Sequence, residues 1–248
     1  MAIILALEDD VLSQQLLRLI FEREGHQISL LDQSKQAWQL LEEQPLPDLL
    51  ILDHHLRDGK GVDFLNAFKS NLLYEMTPVL VCITAPSRDV VVQYTSWNVQ
   101  KILVKPYIQE KLLSEAKSAL GLNPYKEIFE QEEVFCKRAG ITKEIYKETM
   151  QMGVKAAAAD LEELKVAIHD AEGESIRMHI SRMQSLGANI GFKALANYCH
   201  KILQKTYNSG TPQAYLQQML IDFQLMFRVF SAYADGKIAF TEEGVKRL

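Results

Sequence analysis

LLILDHHLRDGKG, residues 49–61, sets four consecutive apolar residues directly before an aspartate and follows them with polar and glycine residues. A short apolar run bounded by turn-forming residues is what a strand buried on both faces requires. Outward from it, the same alternation repeats. Ile3–Leu7 is a second such run, followed by Leu12, Leu16, Leu17, Leu19, Ile20 and Phe21 at helical spacing, with Gly25 closing the helix. Gln27–Leu31 reads as a strand and Lys35–Glu43 as a helix, and Pro45 and Pro47 break the chain before residue 49. Beyond it, Val62–Phe68 reads as a helix, Pro78–Ile83 as a strand, 87–96 as a helix, Lys101–Val104 as a strand and Gln109–Leu120 as a helix. Five strand–helix units in series predict an α/β fold: a parallel sheet with helices on both faces and right-handed crossovers.

Gly121–Pro124 ends that pattern, so the chain is expected to divide into residues 1–121 and 122–248. The second part shows no alternating strand pattern. Breaks near Gly140, Gly173, Gly191 and Gly210 leave helices expected near 125–138, 142–171, 175–189, 192–207 and 212–234, an all-helical bundle. Ile176, Ile180, Met183, Gly187 and Ile190 form the buried stripe of one helix, and Leu195, Cys199 and Ile202 that of the next.

The net charge of −5 lies wholly in the first half, where residues 1–123 carry 11 Lys/Arg against 16 Asp/Glu; the remainder is neutral. Such a balance speaks against nucleic acid as a partner. No apolar run reaches the roughly 18 residues of a membrane span, and the N-terminus lacks the basic start of a signal peptide. Cys82, Cys136 and Cys199 are odd in number and widely spaced, which fits reduced packing residues and a cytoplasmic setting.

In an open α/β sheet the ligand site lies outside the carboxyl ends of the strands. Those ends carry Glu8-Asp9-Asp10, Asp53, Thr84-Ala85 and Lys105-Pro106. Three carboxylates brought this close repel one another, which favours a divalent cation; Mg²⁺, with its oxygen ligands, suits them. Asp53 beside such a cation has the chemistry to attack a phosphoryl donor and form an acyl phosphate. Lys105 spreads the charge of the transferring group, Thr84 donates to a phosphoryl oxygen, and Ala85 leaves room for it. Asp10 reads instead as a helix N-cap. His54 and His55, adjacent at a strand end, are expected to point in opposite directions and are not read as ligands.

With these motifs in place, residues 1–120 resemble the receiver domain of two-component response regulators. The resemblance implies a flavodoxin-like (βα)5 fold, with Asp53 as phosphoacceptor. It implies Mg²⁺ held by Glu8, Asp9, Asp53 and the backbone carbonyl of His55, and a cis peptide at Lys105-Pro106. Thr84 and position 102 would form the switch pair. Two departures stand out: Ile102 replaces the aromatic residue usual three positions before the lysine, and Arg57 stands where the family often has proline.

ISRMQSLGANIGFKALANYC, residues 180–199, resembles histidine phosphotransfer (HPt) domains, with Gly191 as the closing glycine and Leu195-Ala196 and Cys199 after it. The upstream segments ITKEIYKETM and DLEELKVAIHD resemble the leading helix of that bundle. Ser181 occupies the position of the phosphoacceptor histidine, and Gln184 and Ser185 replace the lysine and glycine of the signature. This implies a degenerate phosphotransfer bundle whose docking face carries Ser181, Arg182, Gln184 and Ser185. The expected partners are a histidine kinase or other receiver domains, with a homodimer through the face holding Ile102 left open. The alternatives are a phosphatase of a partner regulator, or an active relay using a non-standard histidine among His169, His179 and His200.

Overall fold

A computed structural model of the chain describes residues 1–248 except 44–45, 72, 98, 123–124, 126–127, 206, 208–209, 242–243 and 248. The breaks expected at Pro45 and Pro124 lie outside the described residues. The chain falls into two compact units, residues 1–125 and residues 126–241 with 245–248.

In the first unit β1 (Ile3–Leu7), β2 (Gln27–Leu31), β3 (Leu49–Asp53), β4 (Val79–Ile83) and β5 (Lys101–Val104) form one parallel sheet in the order β2-β1-β3-β4-β5. This is the flavodoxin-like order, with its switch point between β1 and β3. Every residue of β1, β3 and β4 is buried, as a sheet covered on both faces demands. The connecting helices are α1 (Val11–Arg23), α2 (Ser34–Glu43), α3 (Gly61–Ser70), α4 (Arg88–Thr95) and α5 (Gln109–Leu120). Asp10 caps α1, accepting the Ser13 amide at 2.7 Å.

Two local readings change. Of the six apolar residues expected on α1, only Leu17, Ile20 and Phe21 are buried; Leu12 is 80% exposed, Leu19 55% and Leu16 40%, with Val11 at 57%. They line one face of the helix that the sheet does not cover. The unit also extends to residue 125 rather than 121. The buried Tyr125 donates its hydroxyl to the Pro47 carbonyl and meets the Thr77 hydroxyl at 3.1 Å, which ties it to the loops before β3 and β4.

The second unit is helical: α6 (Glu132–Ala139), α7 (Lys143–His169), α8 (Gly173–Ile190), α9 (Lys193–Leu203) and α10 (Gln213–Ala234). α7 packs against α8 and α10, and α8 against α9. Tyr198 joins α9 to α10, donating to the buried Asp222 carboxylate at 2.8 Å. The stripes on α8 and α9 are buried as expected. An added Cβ at Gly187 would lie 2.9 Å from the Ala196 amide nitrogen and 3.0 Å from the Phe192 carbonyl, so α9 closes onto backbone there.

The first expected helix of this unit, 125–138, begins only at Glu132. Residues 128–130 pair instead with the turn between α8 and α9: Glu130 donates its amide to the Gly191 carbonyl at 2.7 Å, and Ala194 donates to the Ile128 carbonyl at 3.1 Å. This places Phe129 flat against Phe192, with ring centroids 4.2 Å apart, and against Tyr233 at 4.3 Å. The tertiary pairing outweighs local helix propensity. Gly191 takes φ +75° at the end of α8, the left-handed conformation glycine adopts without strain. The tail after Asp235, too short to assign from sequence, forms a two-strand hairpin of Ile238–Thr241 and Gly244–Arg247.

Candidate functional site

The carboxyl ends of β1 and β3 lie side by side, which brings Glu8, Asp9 and Asp53 together. One carboxylate oxygen from each lies within 4.8 Å of the others. Glu8 is 1% exposed and Asp53 5%, whereas Asp9 is half-exposed. Lys105, carried to the same edge at the end of β5, sets its Nζ 2.6 Å from Glu8 Oε1 and 2.6 Å from Asp53 Oδ2. Asp53 Oδ1 accepts the amide of His54 at 2.6 Å. The Lys105-Pro106 bond is cis.

The charges expected to repel are therefore partly neutralised within the protein. Burial pushes the Glu8 carboxyl above its ordinary range, against the opposing pull of its hydrogen bonds from Lys105 and Tyr107. Burial draws Lys105 down, but its hydrogen bonds to Asp53 and Glu8 outweigh that and leave it raised, a firm cation. Among the described residues Asp9 has no hydrogen-bond or ion-pair partner. Three clustered carboxylates, one open toward solvent, suit a hard divalent cation with oxygen ligands. No other group of three or more such residues occurs among the described residues.

Sequence reasoning missed Tyr107. Its hydroxyl donates to Glu8 Oε2 at 2.6 Å. Burial pushes its phenol far above the ordinary tyrosine value, so it remains a donor. The only sequence signal was its place two residues after Lys105. Cys82 lies fully buried in β4, and burial raises its thiol to about 12, which suits an inert packing residue.

Thr84 follows β4 and is exposed; Ile102 is half-buried in β5, in register with Val81. His54 and His55 do not point apart. Their ring centroids are 4.6 Å apart at an interplanar angle of 71°, because the chain leaves the strand with a bend at residue 54. His54 Nδ1 lies 2.9 Å from the hydroxyl of buried Tyr94 in α4.

Backbone and side-chain ties fix the loop after Asp53. His55–Leu56 and Gly59–Lys60 form a short antiparallel hairpin. Gly61 donates its amide to the His54 carbonyl at 2.9 Å, and an added Cβ there would stand 1.9 Å from the Asp53 carbonyl oxygen. Arg57 pairs with Asp32 at 2.9 Å, which gives this departure from the family pattern a local role. Asp58 accepts the amides of Ser34 and Lys35 at 2.9 and 3.1 Å, at the start of α2.

On α8 of the second unit, Ser181 and Ser185 are exposed and bonded, Ser185 Oγ to the Ser181 carbonyl at 3.0 Å; Gln184 beside them is half-buried. Arg182 turns toward α7, 3.5 Å from Asp160. His179 is buried, with Nδ1 3.0 Å from Asp160 and Nε2 3.5 Å from Glu163. His169, the last residue of α7, and His200, in α9, are both exposed.

Residues 4–117 match the family model described as the response regulator receiver domain. The sensor histidine kinase AruS of Pseudomonas aeruginosa is 28% identical over 120 residues, covering 48% of this chain and 12% of AruS. The transcriptional regulatory protein PhoP of Escherichia coli K12 is 26% identical over 120 residues, 48% of this chain and 52% of PhoP. The matched stretch thus spans about half of PhoP and a small part of AruS. Among solved structures, the chemotaxis protein CheY4 of Vibrio cholerae is 23% identical with a TM-score of 0.45, over 48% of this chain and 98% of that one. No helix among the described residues is long and apolar enough to cross a membrane.

Proposed function

Residues 4–117 being a response regulator receiver domain of the two-component type, we propose that the chain is phosphorylated on Asp53 and that its helical second unit is a degenerate phosphotransfer module. In this reading that module binds a histidine kinase or another receiver. The observation that carries the first part is the contact of Lys105 Nζ with both Asp53 and Glu8 at 2.6 Å.

The donor is a partner's phosphohistidine. Its P–N bond breaks as an O–P bond forms to the Asp53 carboxylate, and the imidazole nitrogen keeps the bonding pair and takes up a proton. Glu8, Asp9, Asp53 and the His55 carbonyl would hold Mg²⁺, which would supply charge neutralisation for the transferring group. Lys105 balances the charge that remains, and the Thr84 hydroxyl donates to a phosphoryl oxygen. The exposed apolar stripe of Val11, Leu12, Leu16 and Leu19 begins directly after Glu8-Asp9-Asp10, which supports a protein partner docking beside the site. Ser181 in place of a histidine, with His179 buried, supports a second unit that binds without relaying phosphate.

Incubation with a small phosphoramidate and Mg²⁺ should add one phosphate by intact mass, abolished by chelation and in Asp53→Asn. Phosphate gained by Asp53→Asn would refute the site. The full chain should also capture a receiver or kinase dimerisation domain, and charge-reversing Arg182→Glu with Gln184→Ala should weaken that capture. Equal capture by the double variant would remove the docking face. Acid-labile phosphate in the second unit, or faster loss of phosphate from a partner receiver, would replace the binding reading with a relay or a phosphatase.

A further inference from the structure

Glu8 reaches the site already occupied on both sides of its carboxylate. Oε1 accepts from Lys105 Nζ at 2.6 Å and from the Asp10 amide at 3.2 Å, while Oε2 accepts from the Tyr107 hydroxyl at 2.6 Å. The residue is 1% exposed, and its backbone carbonyl takes a further bond from Gln14 Nε2 at 2.6 Å. Asp9 and Asp53 are held less completely: Asp9 is half-exposed without such partners, and Asp53 gives one oxygen to Lys105 and one to a backbone amide. A cation entering between the three carboxylates meets an open Asp9 and a Glu8 that must first release donors.

Lys105 has a second carboxylate to turn to, since it already touches Asp53. Tyr107 has only Glu8 among the carboxylates it bonds. Its ring lies half-buried between the end of β5 and α5, 5.8 Å below the Lys105 ammonium, so its hydroxyl is aimed at Oε2 by packing.

We infer that Tyr107 is a positioning residue that competes with the cation for Glu8, weakening divalent-metal binding and leaving Asp9 and Asp53 as the dominant ligands. This rests on the proposal that the acidic edge holds a divalent cation, and it adds which residue sets the affinity. A hydrogen bond to a buried carboxylate of this kind corresponds to a change of about tenfold in affinity when it is removed.

The test uses the full chain and Mn²⁺ as probe, with free Mn²⁺ read by electron paramagnetic resonance. Tyr107→Phe keeps the ring and removes the hydroxyl, and is expected to bind Mn²⁺ about tenfold more tightly. Glu8→Gln should reverse that gain in the Tyr107→Phe background and change affinity far less in the wild-type background. Asp9→Asn should weaken binding much more than Glu8→Gln, a comparison that stands even if Tyr107→Phe does not fold. Unchanged or weaker binding by folded Tyr107→Phe, or equal losses in Asp9→Asn and Glu8→Gln, overturns the role of Tyr107 alone. Absence of Mn²⁺ binding by the wild-type chain overturns the cation site itself and this inference with it.

Discussion

Lys69 shows how one residue acquires a property its neighbours in sequence do not announce. It sits on α3, is 4% exposed, and donates to the carbonyls of Glu75 at 2.8 Å and Thr77 at 2.5 Å. Burial lowers its ammonium to about 8, from 10.5. The unfolded chain therefore binds a proton more readily than the folded one between those values, and stability attributable to Lys69 rises with pH across that window. Chemical denaturation of wild type and Lys69→Met from pH 7.5 to 10 should show the wild type gaining on the variant. Parallel profiles would show that the buried ammonium is not under strain. At the acidic sheet edge, Glu8, Asp9, Asp53 and Lys105 were legible because each ends or follows a strand, and strand ends of a parallel sheet share one edge. Tyr107 was not, because its bond to Glu8 joins residues 99 positions apart and depends on where a side chain beyond the end of β5 is aimed. The pairing of the His54 and His55 rings was misread for the same reason, since strand alternation stops where the chain bends.

Among the elements, α8 and α9 meet through Gly187, where an added Cβ would strike the backbone at Ala196 and Phe192. Gly187→Ala should therefore separate the two helices and cost about 1–3 kcal/mol of stability in the second unit. Gly153→Ala is the informative companion. Its added carbon would meet the buried ring tip of Phe230 at 3.0 Å, a side-chain atom rather than backbone, so its cost should be smaller. Thermal unfolding of both variants checks the order, and equal losses would mean that close backbone approach at Gly187 is not what holds the helices. Helix existence was readable from period and glycine spacing, and every expected helix is present in some form. The extents were not: Phe129 is drawn from the expected first helix into an aromatic stack that only the folded unit offers. On α1, spacing marked six apolar residues as helical without saying that one face would stay uncovered.

At the scale of the molecule, the boundary between the units is set by a contact rather than by the loop composition that marked it. Tyr125 lies past Gly121 yet is buried in the first unit through its hydroxyl bonds to Pro47 and Thr77. A fragment ending at residue 121 should be less stable than one ending at residue 125, by about 2–4 kcal/mol for the lost ring burial and hydrogen bond. Urea unfolding of the two fragments decides it, and equal midpoints would place the tether outside the folding unit. What the sequence determined by itself is the alternation of period that makes a five-stranded parallel sheet followed by helices, and the gathering of acids and a lysine at one sheet edge. These follow from chain-local rules: strand and helix periods, and the geometry that brings successive parallel strands to a common end. Only tertiary structure decided that Lys105 and Tyr107 occupy Glu8, that Arg57 and Asp58 tie the Asp53 loop to the start of α2, and that Tyr125 closes the first unit. Those contacts join residues 23 to 99 positions apart. No local pattern encodes such a pairing, since it exists only once the backbone has brought both partners into hydrogen-bond range.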